Sequence, residues 1–263
     1  MNVLCKVMQV SRSGYYHWKR RDPSAREQER TQLIPRVRGL HQESKALGFR
    51  SGKHKAGTLM KLAGVAAKQR KRFKATTDSN HRLPVAPNLL HRRFSVTTPN
   101  CVWVGDITYV WTSEGWVYLA VVIDLYSRRI VGWPMNKCIS RHLVMDALTM
   151  AIWRRKPSRG LIFHSDRGSQ YCSHDFQRLL KNHGVLSSMS RKGDCWDNAV
   201  AESFFGSLKI EQIFGIRYLS RSAARQDIVD YIEMFYNSRR RHSSLGYMNP
   251  MEFENQQLWK KAA

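Results

Sequence analysis

Acidic residues are scarce in this chain. Twenty Asp and Glu stand against 44 Lys and Arg in 263 residues, which leaves a formal net charge of +24 and a pI near 10.3. Such a field favours a polyanion, and nucleic acid is the common one. Long apolar runs are missing too. None approaches the roughly 18–20 residues that a membrane helix needs, so no membrane partner is expected. The N-terminus, MNVLCKVMQVSRSGYYHWKRR, is too short and too polar at its centre for a signal peptide. Cysteine is sparse: Cys5, Cys101, Cys138, Cys172 and Cys195 are an odd number, widely spaced, with no Cys-x-x-Cys pair. That pattern argues against a zinc module and fits free thiols in a reducing cytosol. No internal repeat is visible.

What acid there is comes late. Residues 1–100 hold 22 basic and 5 acidic residues, a net +17, and the remaining 163 carry +7. The hydrophobic content of 42% suffices for one substantial core and a small appended domain. Residues 1–22 have the shape of a helix-turn-helix, with Arg12, Lys19, Arg20 and Arg21 placed for phosphates. A second, more charged helical pattern covers 24–48. From 51 to 94 periodicity fades while charge, Pro and Asn rise. This stretch, with Lys71, Arg72 and Lys74, reads as a basic linker that tracks a DNA backbone. The expected division is therefore a basic DNA-binding region and linker over 1–94, a catalytic core over 95–256 and a tail over 257–263.

At Asn100 the composition switches. CVWVGDITYVW (101–111) and GWVYLAVVIDLYS (115–127) are rich in Val, Ile, Tyr and Trp around the turn TSEG, and read as a hairpin. RRIVGWPMN (128–136) follows as a third strand. SRHLVMDALTMAIWRR (140–155) is helical, with Leu143, Val144, Ala147, Leu148, Ala151 and Ile152 on one side. Then come the strand GLIF, a helix from about Tyr171 to His183, a strand over 185–190 and two long helical patterns from Asp197 onward. Hairpins first and crossovers later predict a mixed sheet covered by helices.

Asp106 falls midway along the first strand and Asp166 ends the fourth. Glu202 lies on the helix DNAVAESFFGSLKIE. There Asn198, Glu202, Gly206 and Lys209 share a polar stripe, while Val200, Ala201, Phe204, Phe205 and Leu208 turn inward. Lys209, two turns after Glu202, points where a phosphate can lie. Three clustered carboxylates repel one another unless a divalent cation sits among them. Oxygen-only ligation suits Mg²⁺ or Mn²⁺, and two such ions roughly 3.5–4 Å apart serve in-line displacement at phosphorus. The bland alternative is three unrelated acids: Asp106 in solvent, Asp166 in a turn, Glu202 on a helix surface.

These residues carry a resemblance. WVGDITYV, HSDRGSQY and DNAVAESFFGSLKIE resemble the three blocks of the retroviral-integrase-like DDE transposases, with 35 residues between Asp166 and Glu202. VVIDLYSRRIVGW (121–133) and YIEMFYNSRRRHSSLGYMNPMEFE (231–254) look like the second reading-frame product of bacterial insertion sequences. The likeness covers roughly 85–256. It implies an α/β, RNase H-like mixed sheet flanked by helices, with a basic, mainly helical N-terminal region. It also implies Asp106, Asp166 and Glu202 as catalytic ligands of two Mg²⁺ (or Mn²⁺) ions. The implied activity is cleavage at terminal inverted repeats of double-stranded DNA, then attack of the freed 3′-OH on target DNA, with no covalent enzyme–DNA intermediate. Assembly as a homo-oligomer on DNA, action with or fused to an upstream reading-frame product, and a bacterial cytoplasmic, nucleoid-associated location follow by the same analogy. The segment 48–64 departs from the family pattern by looking shorter and less regular.

Supporting roles attach to His164, on the same strand side as Asp166, and to Asp124, in an apolar strand end. Asn198 reads as the cap of the Glu202 helix. Gly168 reads as a turn residue chosen for positive φ. Arg239, Arg240 and Arg241 sit with His242 at a helix C-terminus, serving either the helix dipole or DNA. Two rivals stand beside the transposase: a catalytically defective or regulatory DNA-binding product of the same element, and a host RNase H-like nuclease.

Overall fold

The computed structural model describes residues 13, 22, 27–29, 31–35, 37, 53–65, 81, 83–91, 95–191 and 198–262. Lys53, Lys55 and residues 257–262 are described in backbone only. The chain forms two compact units, 1–67 and 68–263. In the first, helix α1 (Lys53–Leu62) buries Leu59 and Ala63. This stretch lies where the sequence suggested an irregular linker. Its charged and small residues hide the helical period, because only two side chains mark the inner face.

The second unit is built on one sheet. Strands β1 (Val102–Thr112) and β2 (Gly115–Asp124) pair antiparallel from Trp103 opposite Asp124 to Thr112 opposite Gly115. Strand β3 (Ile130–Gly132) pairs with the inner end of β2, and β4 (Met135–Asn136) with its outer part. The expected single third strand is thus broken in two. Pro134 lacks the N–H that an unbroken ladder requires. After helix α2 (Arg141–Arg155), β5 (Ile162–Ser165) returns parallel to β1, and β6 (Leu186–Met189) lies parallel to β5. Helices α3 (Ser169–Cys172) and α4 (His174–Asn182) form the second crossover. The resulting order is β3-β2-β1-β5-β6, the mixed antiparallel-then-parallel sheet of the RNase H-like fold.

Both faces of the sheet are covered, which is why β2 is buried along almost its whole length. Trp103, Ile107, Ala120 and Val122 pack with Leu143, Val144, Ala147 and Leu148 of α2 and with Phe176 and Leu180 of α4. On the other face Val102, Val104, Val110, Leu119 and Val121 meet Ala201, Phe204, Phe205 and Leu208 of helix α5 (Ala199–Leu208). Ile228 of helix α6 (Arg221–Asp230) joins them. Of the two long C-terminal helical patterns, the first runs to Ile213 as its sequence suggests and the second stops at Tyr236. Each passes into a π-helical turn, at Lys209–Ile213 and Tyr231–Tyr236. Helix α7 (Pro250–Ala262) was not anticipated, and it takes in most of the residues read as a tail.

Residues 81 and 83–91, placed in the linker by composition, lie on the sheet. His81 Nε2 meets the Arg167 carbonyl at 2.7 Å, Leu89 N–H bonds Ser188 Oγ at 2.9 Å, and Leu90 is buried in the core.

Helix α2 approaches the sheet at Gly132, where an added Cβ would stand 2.3 Å from the carbonyl oxygen of Ala147. Backbone cannot retreat as a side chain can, so Gly132→Ala is expected to cost about 3 kcal/mol. A urea titration followed by circular dichroism measures it. An unchanged midpoint would show that α2 does not rest on β3 as described.

Candidate active site

Asp106 and Asp166 come together through strand register. The parallel pairing ends with Val104 beside His164, and Asp106 and Asp166 each follow two residues later, near enough for Asp166 to act on Asp106. By the two-residue period Asp106 shares the face of Val104 and Val110, the face on which α5 packs. Glu202 is the exposed residue of that helix next to buried Ala201. Gly105 helps the strands close, because a Cβ there would meet the Phe163 ring at 2.4 Å.

Local hydrogen bonds hold the two aspartates. Asp106 Oδ1 accepts the N–H of Ile107 at 2.7 Å, and Asp166 Oδ1 accepts the N–H of Gly168 at 2.9 Å. The second bond corrects the reading of Gly168. Its φ is −60°, so the carboxylate itself makes the turn and no left-handed glycine is involved.

The electrostatics show that the three acids share a neighbourhood. Burial pushes the Asp106 carboxyl well above the usual carboxylate range; Asp166 and Glu202 push it further, against the Ile107 N–H and Lys209. Tyr171 is buried beneath the pair and is raised by desolvation and then by Asp106 and Asp166. Among the described residues, no three His, Cys, Asp or Glu side chains form a ready metal-ligating group. The carboxylates are gathered but not closed around a point.

Known proteins resemble this chain in sequence. Residues 96–195 and 202–258 both match the description Integrase core domain. The 31 kDa protein of insertion element IS600 from Shigella sonnei is 46% identical over 95% of this chain and 97% of its own length. The transposase InsF of insertion sequence IS3A from Escherichia coli K12 is 43% identical over 98% of this chain and 95% of its own. This chain belongs to the insertion-sequence transposases with an integrase core. Among solved structures it resembles the HTLV-2 integrase catalytic core domain in complex with magnesium, with 18% identity, 60% of this chain, 97% of that one and a TM-score of 0.46.

The other residues singled out in the transposase divide by position. Lys209 begins the π-helical turn after α5; its charge acts on Asp106 and its Nζ lies 5.2 Å from the centre of the Tyr109 ring. His164 is fully buried, and its Nδ1 meets Ser188 Oγ at 2.9 Å, so it ties β5 to β6 and presents no surface to a phosphate. Asn198 stands at the N-cap position but makes no capping bond, and its Oδ1 is buried without a partner. The expected cap is therefore not formed. Arg12, Lys19, Arg20, Arg21, Lys71, Arg72 and Lys74 lie outside the described residues.

Asp124 is not part of the carboxylate cluster. It pairs with Trp103, three positions and about 10 Å along the ladder from Asp106. It accepts the N–H groups of Asn100 and Tyr126 at 2.9 and 3.0 Å and meets Arg155 at 3.5 Å. Arg155 also binds Glu254 of α7, which accepts from Ser127 and Arg129 as well. An acid in an apolar strand resembles an active-site acid until its partners are known.

Arg240 is corrected in the same way. Its guanidinium bonds Glu211 twice, at 2.9 and 3.1 Å, reaches Ser207 Oγ at 3.0 Å and lies over Tyr236. Burial, then Arg240 and Arg128, push His242 down to about 3, so it adds no positive charge. Arg239 and Arg241 remain exposed. The reading from sequence also missed four aromatic side chains on one face of the β1–β2 hairpin. Period-two alternation carries that signal.

Two outcomes test these assignments. Arg240→Met strands a half-buried Glu211 and is expected to cost about 3 kcal/mol, lowering Tm by roughly 6–12 °C. Arg239→Ala and Arg241→Ala should stay within about 0.5 kcal/mol of the parent. Equal melting of all three would remove Arg240 from the core. Burial, opposed by the Asn100 and Tyr126 N–H groups and Arg155, also raises Asp124 to about 6. The folded chain therefore keeps a proton that the unfolded chain loses, and stability falls as pH rises from about 4 to 6. The unfolding free energy of the parent relative to Asp124→Asn should drop by roughly 2–3 kcal/mol between pH 4 and pH 7. A flat difference in urea titrations at the two pH values would contradict the burial of an ionisable Asp124.

Proposed function

We propose that this transposase hydrolyses phosphodiesters at the ends of its insertion sequence and joins the freed 3′-OH to target DNA, with Asp106, Asp166 and Glu202 as the catalytic set. The observation that carries the reading is the gathering of three acids at the junction of β1, β5 and α5. Asp106 is desolvated and pushed upward by both other acids, an arrangement that costs stability unless hard positive charge enters. The donor set is all oxygen and fits Mg²⁺ or Mn²⁺. Two such ions, when bound by these carboxylates, supply Lewis acidity to the attacking and leaving oxygens of an in-line displacement.

The chain's own residues do the rest. Lys209 stands beside Asp106 and is desolvated, so its ammonium suits a phosphate oxygen next to the reacting centre. Exposed Arg239 and Arg241, with the basic N-terminal region, hold double-stranded DNA at terminal repeats and target. Processing paired ends needs more than one protomer, so a homo-oligomer assembled on DNA is part of this reading, alone or with an upstream reading-frame product. Action on nucleoid DNA follows.

A second reading is a DNA-binding product of the element that does not cut. It rests on the segment 48–64, whose sequence departs from the family pattern. One assay separates the two. Wild type with Mg²⁺ and an end-bearing duplex is expected to nick it. Asp106→Asn, Asp166→Asn and Glu202→Gln are expected to lose at least a hundredfold in rate while binding survives. Omitting Mg²⁺ should have the same effect. Binding without cutting in wild type would favour the second reading.

A further inference from the structure

The hairpin carries an aromatic cluster on the sheet face opposite Asp106, and the two approach only around the open edge of β1. Tyr109 is opposite Tyr118 and Trp111 opposite Trp116, so all four share the side of the sheet that Trp103 and Ile107 occupy further in. Helix α2 covers that inner part. At the outer end Trp111 is 58% exposed and Trp116 40%. The rings brace one another edge to face: Tyr109–Trp116 centroids are 4.8 Å apart at 88°, and Trp111–Trp116 4.7 Å apart at 71°. Such contacts hold the rings rigid while leaving ring surface uncovered.

Continuity with the carboxylates comes from the edge of β1. Strand β5 pairs β1 only over Val102–Val104, so the edge that bears Asp106 runs on past it to Tyr109, about 10 Å away. Lys209 joins the two, acting on Asp106 and lying over Tyr109. A second cation flanks the far ring, because Arg221 Nε bonds the carbonyl of Trp116 at 3.2 Å. Glu114, the acid in the hairpin turn, accepts the backbone N–H of Arg221.

We propose that Tyr109, Trp111, Trp116 and Tyr118 form a stacking platform for unpaired bases of the DNA strand held at Asp106, with Lys209 and Arg221 on its phosphates. Rigid exposed aromatic rings flanked by cations in a chain of net charge +24 are the combination that binds unpaired bases. The inference rests on the transposase reading and adds to it a site for frayed or displaced single strand beside the reacting phosphate.

The test is fluorescence anisotropy in EDTA, where nothing is cut. The probes are a blunt terminal-repeat duplex and the same duplex with a short 3′ overhang of thymidines. Trp111→Ala is expected to weaken overhang binding about tenfold and to leave the blunt duplex within about twofold. Trp111→Phe should restore most of the loss, and Trp153→Ala, exposed on α2, should have no effect. Equal loss on both duplexes, or none, overturns the platform. So does a change in sedimentation of Trp111→Ala without a change in DNA affinity, which would make the face a contact between copies. Photocrosslinking of iodouracil in the overhang to the unmodified protein gives a readout free of folding effects. Adducts at Trp111 or Trp116 support the platform, and adducts only elsewhere overturn it. Cutting without overhang preference leaves the transposase reading standing and removes the platform. An overhang preference that Trp111→Ala abolishes, in a protein that never cuts, does the reverse.

Discussion

The parallel pairing of β1 with β5 is the contact on which the candidate site depends. It extends over only Val102–Val104, and everything beyond it follows from that shortness. The register leaves Asp106 and Asp166 each two residues past the end of the pairing. The edge of β1 is then left open, where the turn after Asp166, helix α5 and Lys209 converge. Two close approaches make the pairing possible: Phe163 against Gly105, and the α2 backbone against Gly132. Parallel strands need a crossover helix packed on the sheet, and α2 comes that close only where no Cβ intervenes.

Charge in this chain is spent in two ways. Three acids are committed to buried or half-buried ion pairs. Asp124 and Glu254 share Arg155, and Glu211 is closed by Arg240. These pairs anchor α7 and the end of the second π-helical turn, and they remove Arg155 and Arg240 from any role with DNA. Among the described residues, Arg239 and Arg241 stay exposed, where a polyanion can meet them. A sum over charged residues cannot separate these populations, because pairing is a property of distance.

The carboxylates and the hairpin aromatics meet at the same open edge of β1. Acids at Asp106 and Asp166 repel each other and phosphate alike, so a strand of DNA can settle there only if cations offset them. Lys209 stands between the acids and the first ring of the aromatic face. A single ammonium thus links the region suited to phosphate with the region suited to bases.

Much was legible from the amino-acid order. The hairpin, α2, β5 and the Glu202 helix follow from their hydrophobic periods, and the three carboxylates stood out as acids in otherwise apolar elements. Helices α1 and α7 were not legible, because mixed polar and small residues carry little period, whereas Pro134 marked the split of the third strand and was passed over. Sequence by itself determined which residues lie on which face of each strand and helix, since those periods are set by local geometry. Only the tertiary structure decided which acids keep company. Asp106 and Asp124 look alike in their strands, yet register sends one to the carboxylate cluster and the other to Arg155. Register is a contact between segments distant in the chain, and no local pattern encodes its partner.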